Sequence, residues 1–375
     1  MNNELLTGKK NKFGVFEAAL ATLLFLVFNV VFMESFYAYA LKFGVTNVGV
    51  LLAQFLVEAL FGLAAWAVAI FCKTNIIKAA GLDKKVSILM VIYSALIAFC
   101  AIIFFAGLTS SFLEFLGLVG YTSPDTSMNV NDFGSYIGYV IAACVTPAVC
   151  EELLFRGTIQ SGLKKYGKWI SIISASLIFM LMHGGPEQTV HQFIVGIIVG
   201  LIFYETGNLW LSVIVHFFNN FISITQLFAY NMMQTPSDEV VTETTEALSQ
   251  NEAWMQFAIN LFVALIMAAI GYLLVKMLMK KLKQENELIN GSKPAMASAG
   301  DTQTILVDGK EVETDVVLSE SLEKNSSQAT AESSKTNESG EDKKPMTLTE
   351  VLLFAIPIGW MVFQWIYSLL QGFGG

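Results

Sequence analysis

The sequence predicts an all-α fold: a polytopic transmembrane helical bundle of about eight or nine spans, with one disordered cytoplasmic linker. Three observations predict it. First, 54% of the 375 residues are hydrophobic and only 14% are charged, against about 25% charged in soluble globular chains. Such a chain cannot cover its own apolar surface with polar groups, so lipid must serve as part of its solvent. Second, apolar stretches near the ~20 residues that cross a bilayer recur along the chain. Third, lysine clusters alternate with base-poor loops between those stretches.

Taken in order, the apolar stretches fall at roughly 14–40, 47–72, 86–107, 134–160, 169–183, 189–204, 208–229, 254–279 and 348–370. The fifth and sixth are short, which predicts tilted, half-buried or broken helices. Residues 108–119 are also apolar and read as an interfacial or re-entrant helix. Lysines gather before the first span (Lys9, Lys10, Lys12) and after the second (Lys73, Lys78, Lys84, Lys85). They gather again after the fourth (Lys164, Lys165, Lys168) and the eighth (Lys280, Lys281, Lys283). The loop after the first span holds Lys42 alone, and those after the third, fifth and seventh hold no Lys or Arg. That alternation predicts a multi-pass cell-membrane protein with a cytoplasmic N-terminus (1–12) and an extracytoplasmic C-terminus. No small-residue cleavage site follows a short apolar region near the start, so the first span reads as uncleaved.

The expected organisation follows from those marks. Helices at 13–133 precede a core at 134–229, then an acidic extracytoplasmic loop at 230–253 carrying Asp238, Glu239, Glu243 and Glu246. A helix at 254–279 leads to a linker at 280–346 and a C-terminal helix at 347–372, which reads as a tethered accessory helix. Residues 284–346 are rich in Ser, Glu, Lys, Asn and Thr and poor in aromatics, too polar to offset their ordering entropy. They are also where a cytoplasmic partner would bind. Within them Ile305 to Val312, around Asp308-Gly309, predicts at most a transient hairpin.

Several function classes drop out. A net charge of -9 without a basic block excludes nucleic-acid binding. Cys72, Cys100, Cys144 and Cys150 lie in apolar stretches without CxxC spacing, so they read as small buried hydrophobes. No internal repeat is evident, which argues against a carrier built from inverted halves.

The chemistry concentrates in one place. The chain has a single arginine, Arg156, and three histidines, His183, His191 and His216, all within 61 residues. Ionisable groups at membrane depth are costly and point to function. Glu152 and Arg156 stand at i, i+4 and can pair on one helix face. Glu151 points about 100° away, free to face a cavity. Thr146-Pro147 one turn upstream loosens the backbone. Helical rise places Glu151 about 21 Å back from Lys165 and His183 about 22 Å forward from Lys168. A hairpin at these lysines therefore brings both groups to one level. His216 joins them only if the Glu205–Asn208 turn lies inside the membrane; Asn220 then shares its face.

A carboxylate, two imidazoles and a carboxamide converging on one water can activate it. Glu151, His183 and His216 are also a plausible donor set for a divalent metal such as zinc, the weaker of the two readings. The residues leave both chemistries open, though no HExxH is present. His191 has no partner at useful spacing and reads as a packing hydrogen-bond donor; Glu17, Glu34, Gln54 and Glu58 read as cavity-lining or packing groups.

The three motifs resemble those of the CPBP membrane proteases, which include type II CAAX prenyl endopeptidases and bacteriocin-processing and immunity proteins. EExxxR is met by Glu151, Glu152 and Arg156; FxxxH by Phe179 and His183; and HxxxN by His216 and Asn220. Thr206-Gly207-Asn208-Leu209-Trp210 also resembles the family's approach to its last motif helix. The resemblance, over roughly 134–228, implies an endopeptidase acting on a membrane-associated protein or peptide, with lipid as its other partner. It implies Glu151 as general base with His183 sharing the water, and His216 and Asn220 as the oxyanion-stabilising pair. Glu152, Arg156 and Phe179 would be structural support. Family members are described as metalloproteases and as glutamate-dependent proteases. The readings that compete with a protease are a non-enzymatic immunity or scaffold protein and a transporter.

Overall fold

The computed structural model describes residues 10–42, 47–123, 130–233, 249–291, 304–307, 310–313 and 345–373. Among these, nine principal helices follow the apolar runs of the sequence. They are α1 (Val15–Lys42), α2 (Asn47–Phe71), α3 (Ile88–Leu118), α4 (Phe133–Tyr166), α5 (Lys168–Met182), α6 (Pro186–Thr206), α7 (Leu209–Met233), α8 (Gln250–Asn290) and α9 (Leu348–Phe373). Eight are long and apolar enough to cross a membrane; α5, with 15 residues, is the short one. The expected short sixth span is a full helix of 21 residues, because Pro186 opens it earlier than the apolar run begins. Large apolar side chains such as Ile70, Phe71, Phe262 and Leu273 point outward, as lipid solvent allows.

Two expectations need correction. Residues 108–119 do not form a separate interfacial helix, since α3 runs unbroken to Leu118. The run holds no proline, and small residues let α8 lie close against it. A Cβ added at Gly107 would sit 3.0 Å from the Ala264 Cβ, and one at Gly271 only 2.4 Å from the Phe104 Cβ. The linker also begins later than expected, because α8 continues through Asn290. Residues 280–290 are mostly good helix formers, and Asn286 is buried against the bundle.

The C-terminal helix is packed rather than loosely tethered. Phe354 and Met361 enter the core shared by α1, α2, α4 and α5, the Trp365 indole donates to Thr189 Oγ1 at 2.8 Å, and Thr122 N–H donates to the Gly372 carbonyl at 2.8 Å. A second core joins α3, α6, α7 and α8. Separately, strands β1 (Thr304–Val307) and β2 (Lys310–Glu313) form an antiparallel ladder on either side of the expected Asp-Gly turn. That turn lies outside the described residues. So do most of the expected linker and the four acidic residues of the loop after α7.

A loop between α2 and α3 braces the turn between α6 and α7. Gly81 has φ +68, and a Cβ there would lie 2.0 Å from the Gly207 carbonyl oxygen. Gly81→Ala must therefore move backbone and hold a left-handed conformation. A loss of about 2–4 kcal/mol is expected, measured as a lowered melting temperature in detergent.

Candidate active site

The site is built on α4. Asp132 caps its first turn, accepting from Ser135 N–H at 2.9 Å, and that bond holds the carboxyl below its ordinary value. Beyond the cap, α4 departs from regular α-geometry at Val140–Val145 and Leu153–Gln160, where the turns widen to π-helix. Such wide turns often mark functional sites. Hydroxyls settle the displaced carbonyls: Thr146 Oγ1 donates to Ile141 O at 2.8 Å and Thr158 Oγ1 to Leu153 O at 3.1 Å. Pro147 has no N–H for the carbonyl four residues back, that of Ala143. Asn220 from α7 takes over, donating its Nδ2 to Ala143 O at 3.0 Å.

The wide stretch of α4 lies against a glycine face of α6. Arg156 Nη2 donates to Gly196 O at 3.3 Å and Gln160 Nε2 to Gly200 O at 2.8 Å. A Cβ at Gly196 would meet Ser176 at 3.0 Å, and one at Gly200 would meet Gln160 at 3.0 Å. The two glycines, four apart, let three helices converge.

Glu152 is the centre of a buried charged group. Its Oε1 lies 2.9 Å from Arg156 Nη1 and 2.9 Å from His216 Nδ1, all three side chains being almost wholly buried. The Arg156 guanidinium stacks over the Phe179 ring, 4.4 Å from its centre. The i, i+4 pairing was legible in sequence; the second partner, His216, was not. Glu151 stands apart. Its Oε2 is buried without a hydrogen-bond donor, and His216 Nε2 lies 3.8 Å away, too far for a direct hydrogen bond.

His183 closes α5. Its Nδ1 lies 2.9 Å from Phe179 O, and a carbonyl only accepts, so Nδ1 carries the proton and Nε2 presents a lone pair. The Phe179 ring stands edge-on to both imidazoles, with centroids 5.0 Å from His183 and 5.8 Å from His216. Phe179 thus spaces the two rings as well as covering Arg156.

His216 does reach Glu151, its Nε2 lying 3.8 Å from Oε2, and the Glu205–Asn208 turn before it is clasped on two sides. Asn208 is fully buried; its Nδ2 donates to Lys85 O at 3.2 Å and to Asn286 Oδ1 at 3.1 Å. Asn286 Nδ2 in turn donates to Thr206 O at 3.2 Å, and Lys84 Nζ to the same carbonyl at 2.6 Å. Burial pushes the Lys84 ammonium below its ordinary value, with Asp83 opposing. Asn286 lies in the segment read as linker, where composition gave no sign of a buried polar clasp. Asn286→Ala would leave donors and acceptors of the turn unpaired, so a loss of about 1–3 kcal/mol is expected, read as a lower melting temperature.

Other expected roles divide. His191 Nε2 accepts from Asn219 Nδ2 at 3.2 Å, an acceptor between α6 and α7 rather than the expected donor. Glu58 is buried with its carboxyl in hydrogen-bonding reach of Glu151, and Gln54 Nε2 donates to it at 2.7 Å. It is therefore a lining group of the site itself, hinted at by the i, i+4 spacing of Gln54 and Glu58. Glu17 is instead held by Lys10 and the Gly14 N–H, at 3.1 and 3.0 Å. The Glu34 side chain lies outside the described residues. Among the described residues no three His, Cys, Asp or Glu groups are disposed to hold an ion. Nδ1 of both motif imidazoles is engaged, which leaves Nε2 as the atom each presents to a reacting group or an ion.

The comparisons with known proteins follow this geometry. No curated protein and no solved structure matches the chain. One family model does, described as "Type II CAAX prenyl endopeptidase Rce1-like", over residues 133–222. The match runs from the first residue of α4 into α7 and takes in all three motifs. The family to which this segment is similar is the one its motifs indicate, the CPBP or CAAX-protease-like membrane proteins.

Proposed function

We propose that the chain is an intramembrane endopeptidase that hydrolyses a peptide bond of a membrane-associated protein or peptide with a water activated by Glu151 and His183. The observation that carries this reading is the asymmetry of two adjacent buried glutamates. Glu152 Oε1 is held at 2.9 Å by both Arg156 and His216, although its Oε2 has no donor, whereas Glu151 Oε2 has no donor and His216 Nε2 comes no closer to it than 3.8 Å.

In this reading Glu151 takes a proton from the water as its oxygen adds to the scissile carbonyl carbon. His183 Nε2, fixed as an acceptor, holds the same water. His216 is oriented by Glu152 so that Nε2 faces the reacting group; in its doubly protonated form it donates to the developing oxyanion. Asn220 spends one N–H on Ala143 O and keeps the other for that oxyanion. Collapse breaks the C–N bond, and Glu151 returns the proton to the leaving amine. The Glu152–Arg156 pair supports the geometry without touching substrate.

The lysine-rich ends of the helices meet near the α6–α7 turn, where Lys84 binds Thr206 O and Lys168 and Lys283 both pair with Glu205. We place this face in the cytoplasm. Chelator separates the water mechanism from a metal-dependent one. Purified protein in liposomes is incubated with membrane-anchored peptides and new termini are read by mass spectrometry. Cleavage that survives chelator supports the glutamate–water reading. Loss on chelation, restored by zinc, overturns it in favour of a metal.

A further inference from the structure

Away from the motifs, α6 and α8 touch little along their length and leave a groove of about 880 Å³ between them, floored by α3. Its long wall is apolar, formed by residues such as Phe105, Ile197, Leu201 and Leu273. Its other end is cationic: Lys168, Lys276, Lys280 and Lys283 all line it. The groove's one acidic residue, Glu205, is already committed to two of them, Lys168 and Lys283, the latter at 2.7 Å. Lys276 and Lys280 have no carboxylate partner among the described residues; Lys276 lies only against the Tyr272 ring, 5.8 Å from its centre.

An apolar channel open to the bilayer along its side, ending in two uncompensated ammonium groups, matches one class of molecule. Its occupant must carry a long hydrocarbon portion and a negative head at the depth where helices leave the membrane. We propose that this groove is a binding site for an anionic phospholipid, its acyl chain lying along Leu201 and Leu273 and its phosphate between Lys276 and Lys280. A zwitterionic lipid would fill the apolar part equally, but its own cationic group would oppose the lysines. The charge therefore selects the headgroup, each lysine near the surface favouring an anionic lipid by severalfold.

The groove also bears on the motif region. Glu205 and Thr206 line it and belong to the turn that sets α7 and His216. An acyl chain lying along Leu201 and Leu273 would touch both α6 and α8, beside the Asn286 clasp that already joins them.

The test uses the full chain in detergent and native mass spectrometry, with phosphatidylglycerol and phosphatidylcholine of identical acyl chains. Wild type is expected to retain phosphatidylglycerol at least tenfold better. Lys276→Gln with Lys280→Gln should weaken that lipid by about 10- to 30-fold and leave phosphatidylcholine unchanged. Both lysines are exposed, so the variant should fold; its melting temperature without lipid checks this. In wild type alone, added salt should shrink the preference. Equal retention of the two lipids, or indifference to both substitutions, overturns the proposal. So does displacement of phosphatidylglycerol by millimolar inorganic phosphate, which would mark a free-anion site instead.

Discussion

Glu151→Gln is expected to lower peptide cleavage by about 10²- to 10⁴-fold or more while leaving the fold intact. The amide is nearly isosteric with the carboxylate, so packing around this buried side chain is preserved. The neighbours favour tolerance. Glu151 lies against Glu58, another buried carboxyl; the amide replaces one of two acidic groups in contact with a neutral group that can donate to the other. Its Oε2 makes no hydrogen bond to lose. A melting temperature at or above wild type, together with lost cleavage, is the expected pair of results. Loss of both would mean the glutamate is structural.

Arg156→Met is expected to have the opposite profile, destabilising the protein by about 3–5 kcal/mol. The guanidinium is completely buried. Removing it leaves Glu152 Oε1 with His216 alone and takes from the Gly196 carbonyl the side-chain donor it has beyond its helix. The aliphatic replacement fills the volume over Phe179 but satisfies none of these groups. Adding Glu152→Gln should recover part of the loss, because the buried negative charge goes with its counter-charge. The coupling is read from reversible unfolding in detergent or bicelles. An exposed or weakly coupled pair would instead give changes below about 1 kcal/mol.

The two substitutions show what the sequence could and could not convey. Hydropathy located every long helix because apolar length is a local property. The i, i+4 rule paired Glu152 with Arg156, and helical rise predicted one level for Glu151 and His183, with His216 joining them only on a condition about the α6–α7 turn. What escaped depended on contacts between distant segments. His216 on Glu152, Asn220 on the carbonyl freed by Pro147, and Glu58 beside Glu151 each join helices whose relative rotation no single stretch encodes. The same holds for the far end of α8. Residues 280–290 are polar enough to read as linker, yet Asn286 is held by Asn208 and Thr206, and these bonds compensate for the polar composition. Residues 108–119 failed differently: a drop in hydropathy at Thr109-Ser110-Ser111 does not break a helix when no proline or glycine pair follows. π-helical turns leave no local pattern beyond hydroxyl residues five positions after the carbonyls to which they donate, as with Thr146 and Ile141.

The most direct test sets wild type beside Glu151→Gln in the same liposomes with the same membrane-anchored peptides, both proteins shown to be folded, and new peptide termini counted by mass spectrometry. The account predicts termini from wild type alone. Equal cleavage by both proteins would contradict it, since the group assigned to activate the water would then be dispensable.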